Sequence, residues 1–263
     1  MTKNYSQAIF DNPEVWDTAA WQKRGGDLER ARLAAEWLPR EVQSILDVGC
    51  GNGVFTNLKE KNRFTVGLDL SLVALAQITA PRLQAEASLL PFQDHSFDAS
   101  LSMEMLEHLP LAIFQNILNE LRRVARKYIL ISVPFNEELK YNMVTCPKCL
   151  HSFHPYHHIQ QFRREYLKSM FGSSIRLEKL EAVVPTKQHA FPSLWNIYRV
   201  HQHREGRNFP RMAVCPQCGY SPEKKAASGQ NQSHGQSKRS SLRHLWPKRN
   251  TFTWWLALYR KEA

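Results

Sequence analysis

The chain of 263 residues has no uninterrupted apolar run long enough to cross a membrane as a helix, so no transmembrane segment is expected. Its first twenty residues include Asp11, Glu14 and Asp17 and do not read as a secretory signal, which leaves a cytoplasmic enzyme as the default expectation. Cysteine is scarce, at five residues, and a cytoplasmic setting disfavours pairing them as disulfides. Acid is in short supply as well: 24 Asp and Glu stand against 35 Lys and Arg, a net charge of +11. Such an excess points to an anionic partner. Much of it is concentrated in one segment, however. Between Gly219 and Asn250 lie Lys224, Lys225, Lys238, Arg239, Arg243, Lys248 and Arg249 against Glu223 alone, among many Ser, Gln, Asn and Gly. The first reading of that segment is a solvated, flexible loop; the second is a contact for nucleic acid, lipid headgroups or an acidic substrate. A hydrophobic content of 43% supports a full core for one sizeable α/β domain with an insertion.

The informative stretch is Ile45-Leu46-Asp47-Val48-Gly49-Cys50-Gly51-Asn52-Gly53. An apolar run that reads as a buried parallel strand meets an acid and three glycines at alternate positions. Glycine tolerates positive φ and has no Cβ, so a ligand can lie against this backbone. A second apolar run, Phe64-Thr65-Val66-Gly67-Leu68-Asp69, ends on an acid spaced to accept hydrogen bonds from a ribose diol. The loop is not G-x-G-x-x-G and no phosphate-binding lysine follows it, so the pocket need not hold a phosphate.

These motifs resemble those of the class I S-adenosylmethionine-dependent methyltransferases. Asp47 to Gly53 is similar to the family's D-x-G-x-G-x-G, and Asp69 matches its ribose-binding acid. Glu86-Ala87, followed by Leu90-Pro91-Phe92-Gln93-Asp94-His95-Ser96-Phe97-Asp98, resembles its acid-Ala … LPF-x-D-x-SFD signature, with Glu in place of the more usual Asp. Ser102 to Leu109 is similar to the segment that closes over the methionine moiety. The resemblance implies S-adenosyl-L-methionine as cofactor, with Asp47, Gly49, Cys50, Gly51, Gly53, Asp69, Leu70, Glu86, Ala87 and Met103 around it.

Periodicity predicts a helix over 27–38 with Leu28, Ala31, Ala35 and Leu38 on its apolar face and Arg and Glu opposite. Strands are expected at 44–48, 63–69, 82–86, 97–102, 128–133, 176–184 and 251–260, and helices at 54–60, 71–79, 110–127 and 159–171. Alternation of this kind implies a Rossmann-like α/β fold: a seven-stranded, mostly parallel sheet with helices on both faces. By the resemblance, the last strand runs antiparallel between strands five and six. The expected organisation is an N-terminal cap (1–26, with Tyr5, Phe10, Trp16 and Trp21), a cofactor-binding core (27–140), a first insertion (141–158), the core resumed (159–184), a second insertion with the basic loop (185–250) and the last strand (251–263).

Two C-P-x-C turns, Cys146-Pro147-Lys148-Cys149 and Cys215-Pro216-Gln217-Cys218, fit a tetrahedral Zn2+ site of structural type; Cys50 needs no role beyond its small size. A redox C-x-x-C pair is the rival reading, and Cys146, Cys149, His154 and His158 are a competing local ligand set. His151, His154, His157 and His158 form a histidine-rich loop in which His154 or His158 is the candidate to deprotonate a hydroxyl acceptor. The favoured function is methyl transfer to a small-molecule or glycan hydroxyl. An RNA methyltransferase using the basic segment is an alternative. Against it, Ser102-Met103-Glu104-Met105 lacks the Asn/Asp-Pro-Pro-aromatic signature of amino-group base methylation. A non-catalytic cofactor-binding module is the third reading.

Overall fold

A computed structural model of the chain describes residues 10–11, 13–16, 25–58, 63–189, 209–210, 213–221 and 247–262. Tyr5 and Trp21 of the expected cap, and the basic segment from 222 to 246, lie outside the described residues. The strands are β1 (Ser44–Val48), β2 (Phe64–Asp69), β3 (Arg82–Gln84), β4 (Phe97–Met103), β5 (Ala125–Pro134), β6 (Val144–Thr145), β7 (Ser152–Phe153), β8 (Ile175–His189) and β9 (Lys248–Lys261). The helices are α1 (Gly25–Trp37), α2 (Leu72–Leu75), α3 (Leu111–Val124), α4 (Leu139–Asn142) and α5 (Arg164–Ser169).

Seven strands form one sheet in the order β3-β2-β1-β4-β5-β9-β8. Pairing is parallel from β3 to β5, and β9 runs antiparallel to β5, with Leu130 opposite Leu258. Side chains alternate along each strand, so β5 buries Ile129, Ile131 and Val133 on one face and Tyr128 and Leu130 on the other. The first face is covered by α3, whose Phe114, Ile117, Leu118, Leu121 and Val124 recur at helical spacing. The second is covered by α1. This is the Rossmann-like sheet that the sequence implies. Its order brings the carboxyl ends of β2, β1 and β4 side by side, where such folds bind ligands.

The chain divides into two units: one comprises 1–137, 159–184 and 253–263, the other 138–158 and 185–252. Unit two holds the antiparallel pair β6–β7 and both C-P-x-C turns.

Several elements differ from expectation. The apolar face of α1 is rotated: Leu28 is exposed, while Asp27 and Arg30 are buried alongside Ala31, Ala34, Ala35 and Leu38. The expected helix at 54–60 is turns over 54–57, and residues 59–60 lie outside the described set. Here the Thr56 hydroxyl bonds Asp47 and the Asn57 amide bonds Gln77 and Thr79, so both side chains serve tertiary contacts rather than a helix. The helix at 110–127 stops at Val124, because Ala125 turns to extended backbone and β5 begins there. The helix at 159–171 shortens to α5, as the amides of Ile159 and Gln160 bond the Glu107 carbonyl instead.

Candidate functional site

The glycine loop follows β1 and is left-handed at Gly49, Gly51 and Gly53, with φ of 70°, 54° and 79°. All three positions are also closed to a side chain: a Cβ on Gly53 would meet the Ile78 side chain at 2.8 Å. A Cβ on Gly49 would meet the Met105 side chain at 2.5 Å, and one on Gly51 would meet the Trp16 ring at 2.7 Å. The loop's amides are already engaged: Gly49 and Cys50 donate to the Leu68 carbonyl, Gly53 to Cys50, and Gly51 to Asp69. The loop therefore offers close backbone approach rather than a cradle of free N–H donors, in keeping with a ligand that carries no phosphate there.

Asp47 at the end of β1 is buried and accepts a 2.6 Å hydrogen bond from the Thr56 hydroxyl. Burial pushes its carboxyl up to about 6; Thr56 opposes the rise and Asp69 adds to it. Asp69 ends β2. Its Oδ2 accepts from the Gly51 amide at 2.8 Å and its Oδ1 from the Ser71 amide at 2.9 Å. Each oxygen keeps capacity for a further hydroxyl donor. Burial raises this carboxyl too, against the pull of the two amides. Cys50 is held as a thiol, chiefly by burial and then by the two acids. The Leu70 carbonyl accepts from Gln84, Glu86 is exposed after β3, Ala87 packs partly against the core, and Met103 ends β4.

Several residues missed by the sequence reading lie along the carboxyl edge. The Arg30 guanidinium lies 3.2 Å from Asp27 and 3.2 Å from Glu104, with its carbon 4.3 Å from the centroid of the Trp254 ring. Glu104 has φ of 61°, and Glu107 is fully buried with neither carboxylate oxygen hydrogen-bonded. Burial, then Glu104, holds the Glu107 carboxyl well above its ordinary range. On α1 the Asp27/Arg30 pair reads as an ordinary solvated i,i+3 pair; the only signal for Glu107 was its position in the segment after β4. From the N-terminal side, the Phe10 carbonyl accepts from Ser71 Oγ and the Trp16 carbonyl from Gln77 Nε2, each at 2.7 Å. The Phe10 ring meets His108 edge-on at 5.2 Å.

In unit two, Cys146, Cys149, Cys215 and Cys218 place their sulfurs within 4.8 Å of one another. The two turns share one backbone pattern. The Cys146 amide donates to the His151 carbonyl and the Leu150 amide to Cys146; the Cys215 amide donates to Tyr220 and the Gly219 amide to Cys215. The residue after each second cysteine is left-handed, with φ of 62° at Leu150 and 66° at Gly219. The Cys149 thiol is lowered to about 7, first by the His151 backbone amide, while burial raises Cys215 to about 12. Four thiols this close cannot all ionise without a cation among them, and the donor set fits zinc. Among the described residues the cysteines gather with each other; no candidate ligand group combines them with His154 and His158. Those two rings, both buried, stack with centroids 4.5 Å apart, and the His158 amide donates to His154 Nδ1 at 3.3 Å. His151 and His157 lie nearly parallel to the Phe153 ring, and burial lowers His157 to about 4.

Residues 46–132 match the model of a family described as a methyltransferase domain. An uncharacterised protein of Methanocaldococcus jannaschii is 30% identical over 135 residues, half of this chain and 57% of that protein. A ubiquinone biosynthesis O-methyltransferase of Xylella fastidiosa is 30% identical over 128 residues, 42% of this chain and 52% of that protein. The matches thus span about half the length of these relatives. Among solved structures, a chain from the complex of the Haloferax volcanii Trm112 methyltransferase activator with a methyltransferase has a TM-score of 0.56 at 16% identity, covering 97% of this chain and 98% of that one. The [4+2]-cyclase SpnF has a TM-score of 0.53 at 16% identity, covering 90% and 81%. These structural likenesses establish the fold alone, and the second is named for a reaction other than methyl transfer.

Proposed function

We propose that this chain, whose core over residues 46–132 is a methyltransferase domain of the class I, S-adenosylmethionine-dependent type, transfers a methyl group to a hydroxyl of a small-molecule or glycan acceptor. The observation that carries the reading is Asp69, fixed by the Gly51 and Ser71 amides with lone pairs to spare, beside a loop that admits no side chains. In this reading Asp69 accepts the ribose hydroxyls, Glu86 and the Ala87 amide contact the adenine, and Gly49, Cys50, Gly51 and Gly53 give close backbone approach. Asp47 braces the loop through Thr56, with Leu70 and Met103 at the strand ends on either side.

When bound, the cofactor supplies a methyl group activated by a cationic sulfur. The chain's task is then to hold the acceptor oxygen in line with that methyl group and to exclude water. Phe10 and Trp16, tied to Ser71 and Gln77, serve as the cap over the glycine loop. In this reading the acceptor's proton goes to His154 or His158, two buried imidazoles stacked on one another. Methylation at oxygen is supported by the name of the Xylella fastidiosa relative. Zn2+ held by Cys146, Cys149, Cys215 and Cys218 is structural, since four thiolates leave no open position. No helix among the described residues is long and apolar enough to cross a membrane. We place the protein in the cytoplasm, where these thiols stay reduced.

The test is incubation with methyl-labelled S-adenosylmethionine and a cell extract separated into metabolite, glycan and lipid, RNA and protein fractions. Ribonuclease-resistant label in metabolites or glycans is expected. Ribonuclease-sensitive label would replace this reading with the RNA methyltransferase. No label in any fraction despite intact cofactor binding would favour a binding module.

A further inference from the structure

The net charge of +11 belongs to one of the two units. Unit two, residues 138–158 and 185–252, contains 14 of the 35 Lys and Arg but only 3 of the 24 Asp and Glu, a net +11; unit one balances the remaining 21 cations with 21 acids. Among the described residues of unit two, Lys140, Lys148, Lys187, Lys248 and Arg249 are exposed, whereas the one acid, Glu138, is half-buried. Lys187 stands on β8, and Lys248 and Arg249 on β9, neighbouring strands of the sheet. The small core of this unit consists of apolar residues and cysteines and calls for no surface cation. On the zinc reading, four thiolates and their ion offset two of these charges, so the excess persists. A positive excess confined to one unit attracts an anionic partner to that unit.

The same unit exposes large apolar side chains, Leu150, Tyr156 and Phe252. Leu150 is the informative one. It takes the left-handed position of the first C-P-x-C turn, with φ of 62°, where the second turn has Gly219. A leucine there is strained, and its side chain is 76% exposed, so neither backbone conformation nor burial accounts for it. Two residues before it on the same turn stands the exposed Lys148. A cation beside an exposed aliphatic side chain suits a bilayer interface, where one meets lipid phosphate and the other enters the acyl boundary. The pair suits nucleic acid poorly, because an aliphatic chain neither stacks on a base as an aromatic ring does nor bonds a phosphate. We propose that unit two docks on an anionic phospholipid surface, with Leu150 entering the apolar layer and Lys148, Lys187, Lys248 and Arg249 meeting the headgroups. The cytoplasmic leaflet of a membrane is such a surface. The proposal is independent of which hydroxyl the core methylates.

The test is flotation of the full zinc-loaded chain with vesicles of phosphatidylcholine, alone or mixed with phosphatidylglycerol. Binding to the anionic vesicles is expected to be at least about tenfold tighter than to neutral ones, and to fall as salt shortens the screening length. Leu150→Gly is expected to weaken that binding about tenfold while zinc content and thermal stability hold or rise, which separates docking from folding. Lys248→Glu combined with Arg249→Glu, both exposed, is expected to weaken it at least about tenfold as well. Equal binding to both kinds of vesicle, binding to neither, or Leu150→Gly binding like the wild type would overturn the proposal. A single-stranded RNA bound more tightly than the anionic vesicles, at equal phosphate concentration, would also overturn it and assign the charge to nucleic acid.

Discussion

Asp47 carries a charge conflict that can be read in stability. Burial holds its carboxyl at about 6 when folded, against 3.8 for a free aspartate, so between those values the folded state holds a proton that the unfolded chain releases. The stabilisation from that proton is complete below about pH 4 and is lost as the pH rises to about 6. Asp98 and Glu120 act with the opposite sign: hydrogen bonds and neighbouring arginines hold their carboxyls low, so their contribution fades on the acid side. Asp47→Asn keeps an oxygen for Thr56 and discards the titration. We expect the ligand-free variant to be more stable than the parent at neutral pH by up to about 3 kcal/mol, with the difference vanishing near pH 4. Denaturant unfolding across pH 4–7 measures this; a constant difference over that range would rule out Asp47 as its source. The sequence placed Asp47 in the loop motif but gave no hint of its burial with Thr56, because that partner comes from a segment that read as helix.

The two C-P-x-C turns invite comparison at the scale of the element. Both need a left-handed residue in the fifth position; one has Gly219 and the other Leu150, which is largely exposed. Nothing lies within 4 Å of where a Gly219 Cβ would stand, so substitution there tests backbone conformation alone. Gly219→Ala should cost about 1 kcal/mol, and Leu150→Gly should cost nothing or add stability, because it removes left-handed strain. Thermal unfolding of the zinc-loaded protein checks both; a larger loss for Leu150→Gly than for Gly219→Ala would contradict the shared-turn description. Cys215→Ser should release the metal, and elemental analysis that still finds a full complement of zinc would move the ion to the histidine loop. Elements with one strong local signal were legible in the sequence: β1 with its glycines, α3 with its apolar repeat and the paired cysteine turns. Elements ruled by distant partners were not. Arg30 on α1 looks like a solvated charge until Glu104 and Trp254, more than seventy residues away in sequence, are brought to it.

For the whole molecule, the sheet and the cysteine cluster belong to different units, and their stabilities rest on different physics. Unit one is held by burial of apolar side chains on both faces of the sheet, whereas unit two gathers a small cluster around Val144, Cys146, Phe153, Ala213 and Cys215. On the zinc reading proposed above, a core that small depends on the metal. Chelation should therefore abolish hydrogen-exchange protection over 144–153 and 213–221 while leaving that of β1, β4 and β5 intact; loss in both regions together would mean that the metal supports the entire fold. The alternation of strands and helices made the mostly parallel sheet legible, while the antiparallel last strand between strands five and six came from the resemblance.

The glycine loop with Asp69 is the proposed cofactor site, and calorimetry with S-adenosylhomocysteine on the wild-type protein and on Asp69→Ala tests it most directly. We predict one molecule bound per chain by the wild type and at least a tenfold loss of affinity in Asp69→Ala. Equal affinity in the two proteins, or no binding by the wild type, would contradict the account.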